Sequence, residues 1–157
     1  MIWKELNDNL VFHNLKASDN IEVLQLMGDA MIQEGYGEEG FTEAVLKREK
    51  NNTTGLEKNR IEMAIPHTDA EHVKKEGLSI AVLNPPIEFD AMGEEDCRIP
   101  VKIVIMFTVA GKDKHIDRLL QVLDMIKDEE ILQGLLDAKN KKEIRTVIQK
   151  REKSDIN

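Results

Sequence analysis

Apolar residues change their spacing along this chain, and each change predicts an element. Asn9-Leu10-Val11-Phe12-His13 predicts a short strand. Behind Ser18-Asp19-Asn20, any of which can cap a helix start, Ile21, Leu24, Met27, Met31 and Ile32 recur at helical spacing, with Gly28 a weak point among them. Gly35-Tyr36-Gly37 ends that helix. A second is expected from about Gly40 to Glu49, with Phe41, Ala44, Val45 and Arg48 near one face. Asn51 to Gly55 reads as a polar turn. Ile61, Met63 and Ile65 then alternate with Glu62 and Ala64, as in a short strand that Pro66 stops, so His67 belongs at its end.

Leu78 to Leu83 and Ile99 to Ala110 are apolar almost without interruption. A half-solvated strand would alternate, so these predict a sheet covered by helices on both sides. The final third is helical by pattern. Ile116, Leu119, Leu120, Leu123 and Ile126 form one stripe; Asp128 caps a helix carrying Ile131, Leu132, Leu135 and Leu136 inward; Ile144, Val147 and Ile148 mark a last amphipathic helix. This order of elements fits one α/β domain, a mixed β-sheet flanked by helices on both faces, over residues 1–150, with 151–157 a flexible tail.

Composition narrows what such a domain does. With 22 basic and 30 acidic residues the formal charge is −8, which argues against a large nucleic-acid footprint, since that needs a concentrated basic face. One cysteine excludes an intrachain disulfide framework and a cysteine-rich zinc site. Met1 to Glu5 lacks the layout of a secretory signal, and the longest apolar run, Val101 to Ala110, is short of the roughly 20 residues that span a bilayer. The expectation is a cytoplasmic protein with no direct membrane insertion.

Four histidines are candidates for chemistry: His13, His67, His72 and His115. His67 follows a strand and a proline. His115 follows the most apolar strand and precedes a helix, and strand ends are rigid mounting points for functional side chains. Read from pattern alone, either ring fits equally well as a half-buried histidine bonded to backbone. No His-x-x-x-His or paired-carboxylate pattern raises a metal site or a hydrolase. Ser18 and Ser79 have no nucleophile-elbow glycines, the carboxylates beside Cys97 disfavour a thiolate, and no Gly-rich nucleotide loop occurs.

The segment Ala64-Ile65-Pro66-His67-Thr68-Asp69-Ala70-Glu71-His72-Val73 resembles the active-site segment of the fructose/mannitol-type IIA domains of the bacterial sugar phosphotransferase system, and within them the galactitol-type branch. Thr54-Gly55-Leu56-Glu57, Ala81 to Phe89 with Met92-Gly93, and the strand Val101 to Phe107 leading to His115 extend the resemblance over roughly residues 5 to 150. It implies the IIA fold and a phosphoryl group received from phospho-HPr on His67, then passed to a cysteine of a IIB component, with IIC coupling the relay to sugar uptake. It further implies that His115 is a second active-site histidine, Arg48 a pocket arginine and Thr54 a nearby hydroxyl, with no metal or cofactor required. His13 is expected to be structural, and His72 has no assigned role. Glu62, Asn59-Arg60 and Thr68 depart from the family pattern and bear on substrate branch and partner surface. The alternative is a phosphorylation-sensing module that does not deliver phosphate to IIB; the lack of a helix-turn-helix region in these residues weighs against a standalone regulator.

Overall fold

The computed structural model describes residues 6–58, 60–111 and 115–156, with 115, 116 and 151–156 described by backbone alone. After a 3₁₀ turn at Asp8–Leu10 come β1 (Val11–Leu15), α1 (Asn20–Gln33), α2 (Phe41–Asn51), β2 (Gly55–Lys58), β3 (Ile61–Ala64), a second 3₁₀ turn (Ala70–His72), β4 (Leu78–Asp90), β5 (Arg98–Phe107), α3 (His115–Ile126), α4 (Glu129–Asp137) and α5 (Lys141–Ile156). The strands form one sheet in the order β1-β4-β5-β3-β2. Pairs β1–β4 and β3–β5 are parallel, whereas β2–β3 and β4–β5 are antiparallel. A mixed sheet between two helical layers is the expected fold class.

The side-chain alternation of the strands explains the two layers. In β5, Ile103, Ile105 and Phe107 join Val122, Met125, Ile126, Ile131, Leu132, Leu135, Ile144 and Ile148 of α3, α4 and α5 in one core. Val104 and Met106 point the other way, into a second core with Val23, Leu24, Met27 and Met31 of α1 and Phe41 and Val45 of α2. Both faces are dry, which is why the strand shows no polar alternation. Asp128 caps α4 by accepting from Glu130 and Ile131 N–H, and Asp19 caps α1 by accepting from Glu22 N–H.

Several predicted elements need correction. The first strand starts at Val11, because Asp8–Leu10 is a 3₁₀ turn capped by Asn7. Ile21 is 52% exposed; Val23 takes the inward position in α1. Gly28 is a close approach: a Cβ there would lie 2.7 Å from Thr42 Oγ1, so its smallness lets α1 and α2 touch. β2 begins at Gly55, the last residue of the expected turn, and occupies a stretch up to Lys58 that the pattern assigns to no element. β4 runs on through Pro85 and Pro86, both exposed, across a register shift between Val82 and Ile87. In α3 the buried face holds Arg118, Val122, Met125 and Ile126, while Leu120 is 57% exposed. α5 continues to Ile156.

Candidate functional site

The β2–β3 ladder ends at the pair Gly55–Ala64, so Thr54 stands opposite Ile65 one step beyond it. There Thr54 Oγ1 accepts from Ile65 N–H at 3.2 Å, a side-chain oxygen in the place of the next rung. The chain stays beside β5, where Phe107 N–H donates to Pro66 O. His67 thus falls on the same face as Ile61, Met63 and Ile65, and its ring stacks on Phe107 with centroids 4.6 Å apart and planes at 21°.

His67 is 7% exposed, and its Nδ1 lies 2.9 Å from Ile65 O. A carbonyl oxygen only accepts, so in the neutral ring this contact assigns the proton to Nδ1 and the lone pair to Nε2. The ring is not sealed in the core. It lines a cavity of about 450 Å³ together with Arg48, Asn51, Asn52, Thr53, Thr54, Ile65, Met92, Gly93 and Leu119. Three of the four residues expected to act together, His67, Arg48 and Thr54, therefore share one cavity. The side chain of the fourth, His115, lies outside the described residues; its backbone opens α3, four positions before the cavity-lining Leu119.

Arg48 reaches the cavity from the last turn of α2. Its Nη1 donates to Asp69 Oδ1 at 3.2 Å, and its Nε, though shielded from solvent, has no hydrogen-bond partner among the described residues. Arg48, Asn51 and Asn52 line both the His67 cavity and a second cleft of about 480 Å³, whose lining includes Asp69, Lys47, Thr68, Glu71 and His72. His72 Nε2 is 3.2 Å from Glu71 Oε1 in that cleft. His13 Nε2 donates to Ala138 O, which ties β1 to the end of α4, a structural role. Among the described residues no three His, Cys, Asp or Glu side chains converge to hold a metal ion. The Cys97 thiol is pushed up by its contact with Glu94, and so is not activated as a nucleophile.

Glu49 is the site residue that sequence reasoning missed. It is 6% exposed, on the inward face of α2 with Phe41 and Val45. It accepts from Thr54 N–H at 2.9 Å and from the Thr54 hydroxyl, whose Oγ1 is 2.8 Å from Oε2 and 3.0 Å from Oε1. Burial pushes its carboxyl up to about 7, against the lowering effect of the Thr54 bonds. The signal was present in the spacing: Glu49 follows Val45 by four positions, as Val45 follows Phe41, so it continues an inward apolar stripe as a charged residue.

Asn52 to Gly55 and the β4–β5 connection close the mouth. Thr53 Oγ1 donates to Ala91 O, and Met92 N–H donates to Gly55 O, which holds Met92 and Gly93 beside the His67 ring. The arrangement can do one thing readily. It places the Nε2 side of the His67 imidazole in a small cavity that it shares with the Arg48 guanidinium, with Met92 and Leu119 among the lining side chains.

Known proteins agree with that picture. The chain is 28% identical over 147 residues to the mannitol-specific phosphotransferase enzyme IIA component of Staphylococcus aureus, covering 91% of this chain and 93% of that one. It is 27% identical over 111 residues to the transcriptional regulator ManR of Bacillus subtilis, but spans only 16% of that protein's length. Its fold matches the complex of enzyme IIAMTL and phosphorylated enzyme IIBMTL from Escherichia coli with a TM-score of 0.74 at 23% identity, over 92% of this chain and 96% of that one. The galactitol-type affinity expected from the His67 segment is corrected by these matches: the galactitol-specific EIIA component of Escherichia coli is 24% identical over 118 residues, 75% of this chain and 78% of that one, below the mannitol-specific relative on each measure. A ten-residue segment carried the galactitol reading, whereas these matches extend over most of the domain. The sequence profile described as phosphoenolpyruvate-dependent sugar phosphotransferase system, EIIA 2, matches residues 5–151, and the chain belongs to that family of phosphotransfer components.

Proposed function

We propose that the chain is a phosphoryl relay in which His67 accepts the group from phospho-HPr and delivers it to a cysteine of a IIB component, upstream of a IIC transporter. The observation that carries this reading is the Nδ1 contact of His67 with Ile65 O inside a cavity shared with Arg48. In the first step the Nε2 lone pair attacks phosphorus in line with the departing carrier histidine; one P–N bond breaks as another forms. The Nδ1 proton stays donated to Ile65 O throughout, so the ring accepts the phosphoryl group without waiting for a proton transfer. In the second step the thiolate of the partner cysteine displaces His67, exchanging the P–N bond for a P–S bond.

Arg48 is the electrostatic element of this proposal. Its pairing with Asp69 holds a guanidinium at the cavity without consuming all its donors, and charge spread over three phosphoryl oxygens is the load it would meet. His115, at the start of α3, is proposed as a further donor to those oxygens. Thr54, the nearby hydroxyl that the resemblance implied, directs its proton at Glu49. The complex of IIAMTL with phosphorylated IIBMTL supports the choice of a IIB partner.

Incubation with enzyme I, HPr and phosphoenolpyruvate is expected to place one acid-labile phosphate on His67, and the label should move to an added IIB protein. Labelled protein that retains its phosphate with every IIB tested would favour the second reading, a phosphorylation-sensing module. The match to ManR is the observation behind that alternative. No label on folded protein, or equal labelling of His67→Ala, would overturn both.

A further inference from the structure

We propose that Glu49 is a positioning residue for His67, acting through the Thr54 hydroxyl and the backbone of Ile65 to fix the carbonyl that receives the histidine's Nδ1 proton. The rate arm of its test rests on the acceptor reading of His67; the structural claim does not.

With Glu49 ionised, the direction of every bond in the chain of contacts is determined. Ile65 N–H can only donate, so Thr54 Oγ1 accepts there. A hydroxyl has one proton, and the atoms it faces are the Glu49 carboxylate oxygens, Oε2 at 2.8 Å and Oε1 at 3.0 Å. Thr54 N–H also donates to Oε1. Two donors thus converge on one side chain, and ionised Glu offers an acceptor to each, Oε1 to the N–H and Oε2, the nearer oxygen, to the hydroxyl. Gln keeps one acceptor and replaces the other with an N–H₂ donor, which weakens the hold on Thr54.

Position makes the chain matter. Beyond the last ladder pair, Gly55–Ala64, no backbone of β2 takes the Ile65 N–H, so the Thr54 hydroxyl is what anchors this residue on the β2 side. Ile65 O in turn faces His67 Nδ1 at 2.9 Å. The far end of the chain is a carboxylate that is almost wholly buried and whose hydrogen bonds among the described residues go to Thr54. A buried charge is costly to the fold, and an apolar residue would continue the Phe41–Val45 stripe at less cost. Holding Thr54 is the structural use that its hydrogen bonds give it.

The experiment is ¹⁵N NMR of the His67 ring in wild type, Glu49→Gln, Thr54→Val and Thr54→Ser, with phosphoryl acceptance from phospho-HPr measured on the same samples. Folded Glu49→Gln and Thr54→Val are expected to show His67 ring signals shifted away from the Nδ1–H tautomer or broadened, and acceptance slowed at least about tenfold. Thr54→Ser, which keeps the hydroxyl, should stand between Thr54→Val and wild type. Wild-type ring signals in folded Glu49→Gln would overturn the proposal, as would displaced signals with an unchanged rate. If Glu49→Gln fails to fold, Thr54→Val decides by the same criteria. If wild type itself takes no phosphate, the acceptor reading falls and the ring signals alone decide the positioning claim.

Discussion

The ring of His67 lies almost parallel to that of Phe107, 4.6 Å away, and Phe107 is the last residue of the central strand β5. One side of the candidate nucleophile is therefore packed against the end of the central strand. Its in-plane direction is set by the Ile65 carbonyl, and its tilt by the phenyl face. Phe107→Leu retains most of the buried volume and removes the flat partner. It is expected to cost about 1–2 kcal/mol in urea unfolding, from lost ring–ring contact and imperfect repacking. Phosphoryl acceptance should fall by more than that loss of stability explains, since the variant remains folded. A wild-type rate in folded Phe107→Leu would show that stacking does not orient the ring.

Arg48 and Asp69 make a different kind of contact. Their side chains are 30% and 67% exposed, so the ion pair contributes little to the fold, within about 1 kcal/mol. Arg48→Ala is expected to leave the thermal midpoint nearly unchanged while slowing phosphoryl transfer about 10²–10³-fold, the cost of one preorganised donor to developing charge. Arg48→Lys should recover only part of the rate, because an ammonium lacks the planar fork. Parallel melting curves and single-turnover labelling separate the two effects. Loss of stability in step with loss of rate would make Arg48 a structural residue.

His115→Ala tests a residue placed by its position at the head of α3. The expected result is an unchanged circular dichroism spectrum with forward and reverse phosphoryl transfer slowed by about 10²–10³. Equal slowing in both directions is the signature of a donor to the shared transition state. Unchanged rates would remove His115 from the site.

How much of this was legible follows from what each residue's neighbours do to its pattern. β5 was legible because burial on both faces leaves Ile99 to Phe107 apolar but for Lys102, and β3 because Ile61, Met63 and Ile65 alternate with Glu62 and Ala64. β2 was hidden: as the edge strand, Gly55–Lys58 contributes a single large apolar residue, Leu56. The second half of β4 was hidden by Pro85 and Pro86, whose missing N–H groups are tolerated because the strand bends there between Val82 and Ile87. In α3, Leu120 looked like core and Arg118 did not. Arg118 is buried because its guanidinium donates to Gly77 O, a partner from a distant loop that no local spacing reveals. At the site, His67 and Arg48 were legible from motif. The Glu49–Thr54–Ile65 connection depends on register between β2 and β3, which the sequence does not display.

Gly55 is where that register meets the mouth of the cavity. A Cβ there would lie 2.6 Å from Asp90 O, a backbone atom that cannot swing aside. Gly55→Ala must therefore push the end of β4 outward and strain the Met92 N–H bond to Gly55 O. A loss of about 1–3 kcal/mol is expected, the usual cost of overpacking. Met92 and Gly93 line the His67 cavity, so the same change should alter the rate at which HPr labels the protein. Amide exchange at Met92 is the direct check: faster exchange than wild type is expected, and an unchanged rate would mean that the connection does not depend on this contact.

Glu49 gives a pH dependence whose sign runs opposite to that of an ordinary paired carboxylate. Burial, reinforced by Asp90 and opposed by the Thr54 bonds and Arg48, raises its carboxyl from 4.5 to about 7 in the folded chain. Below pH 4.5 both folded and unfolded states hold the proton. Between 4.5 and about 7 the unfolded chain releases it while the fold retains it, so the folded state binds more protons and stability falls as pH rises. Above that window the loss is complete, at most roughly 3 kcal/mol for a shift of this size. Glu49→Gln removes the titration. The stability of the variant relative to wild type should therefore improve by up to that amount between about pH 4 and about pH 8, even as the variant loses its hold on Thr54. Urea unfolding of both proteins at the two pH values measures the difference, in which the other carboxylates cancel. A difference independent of pH would mean that Glu49 titrates alike in both states, and its burial would then cost the fold nothing through ionisation.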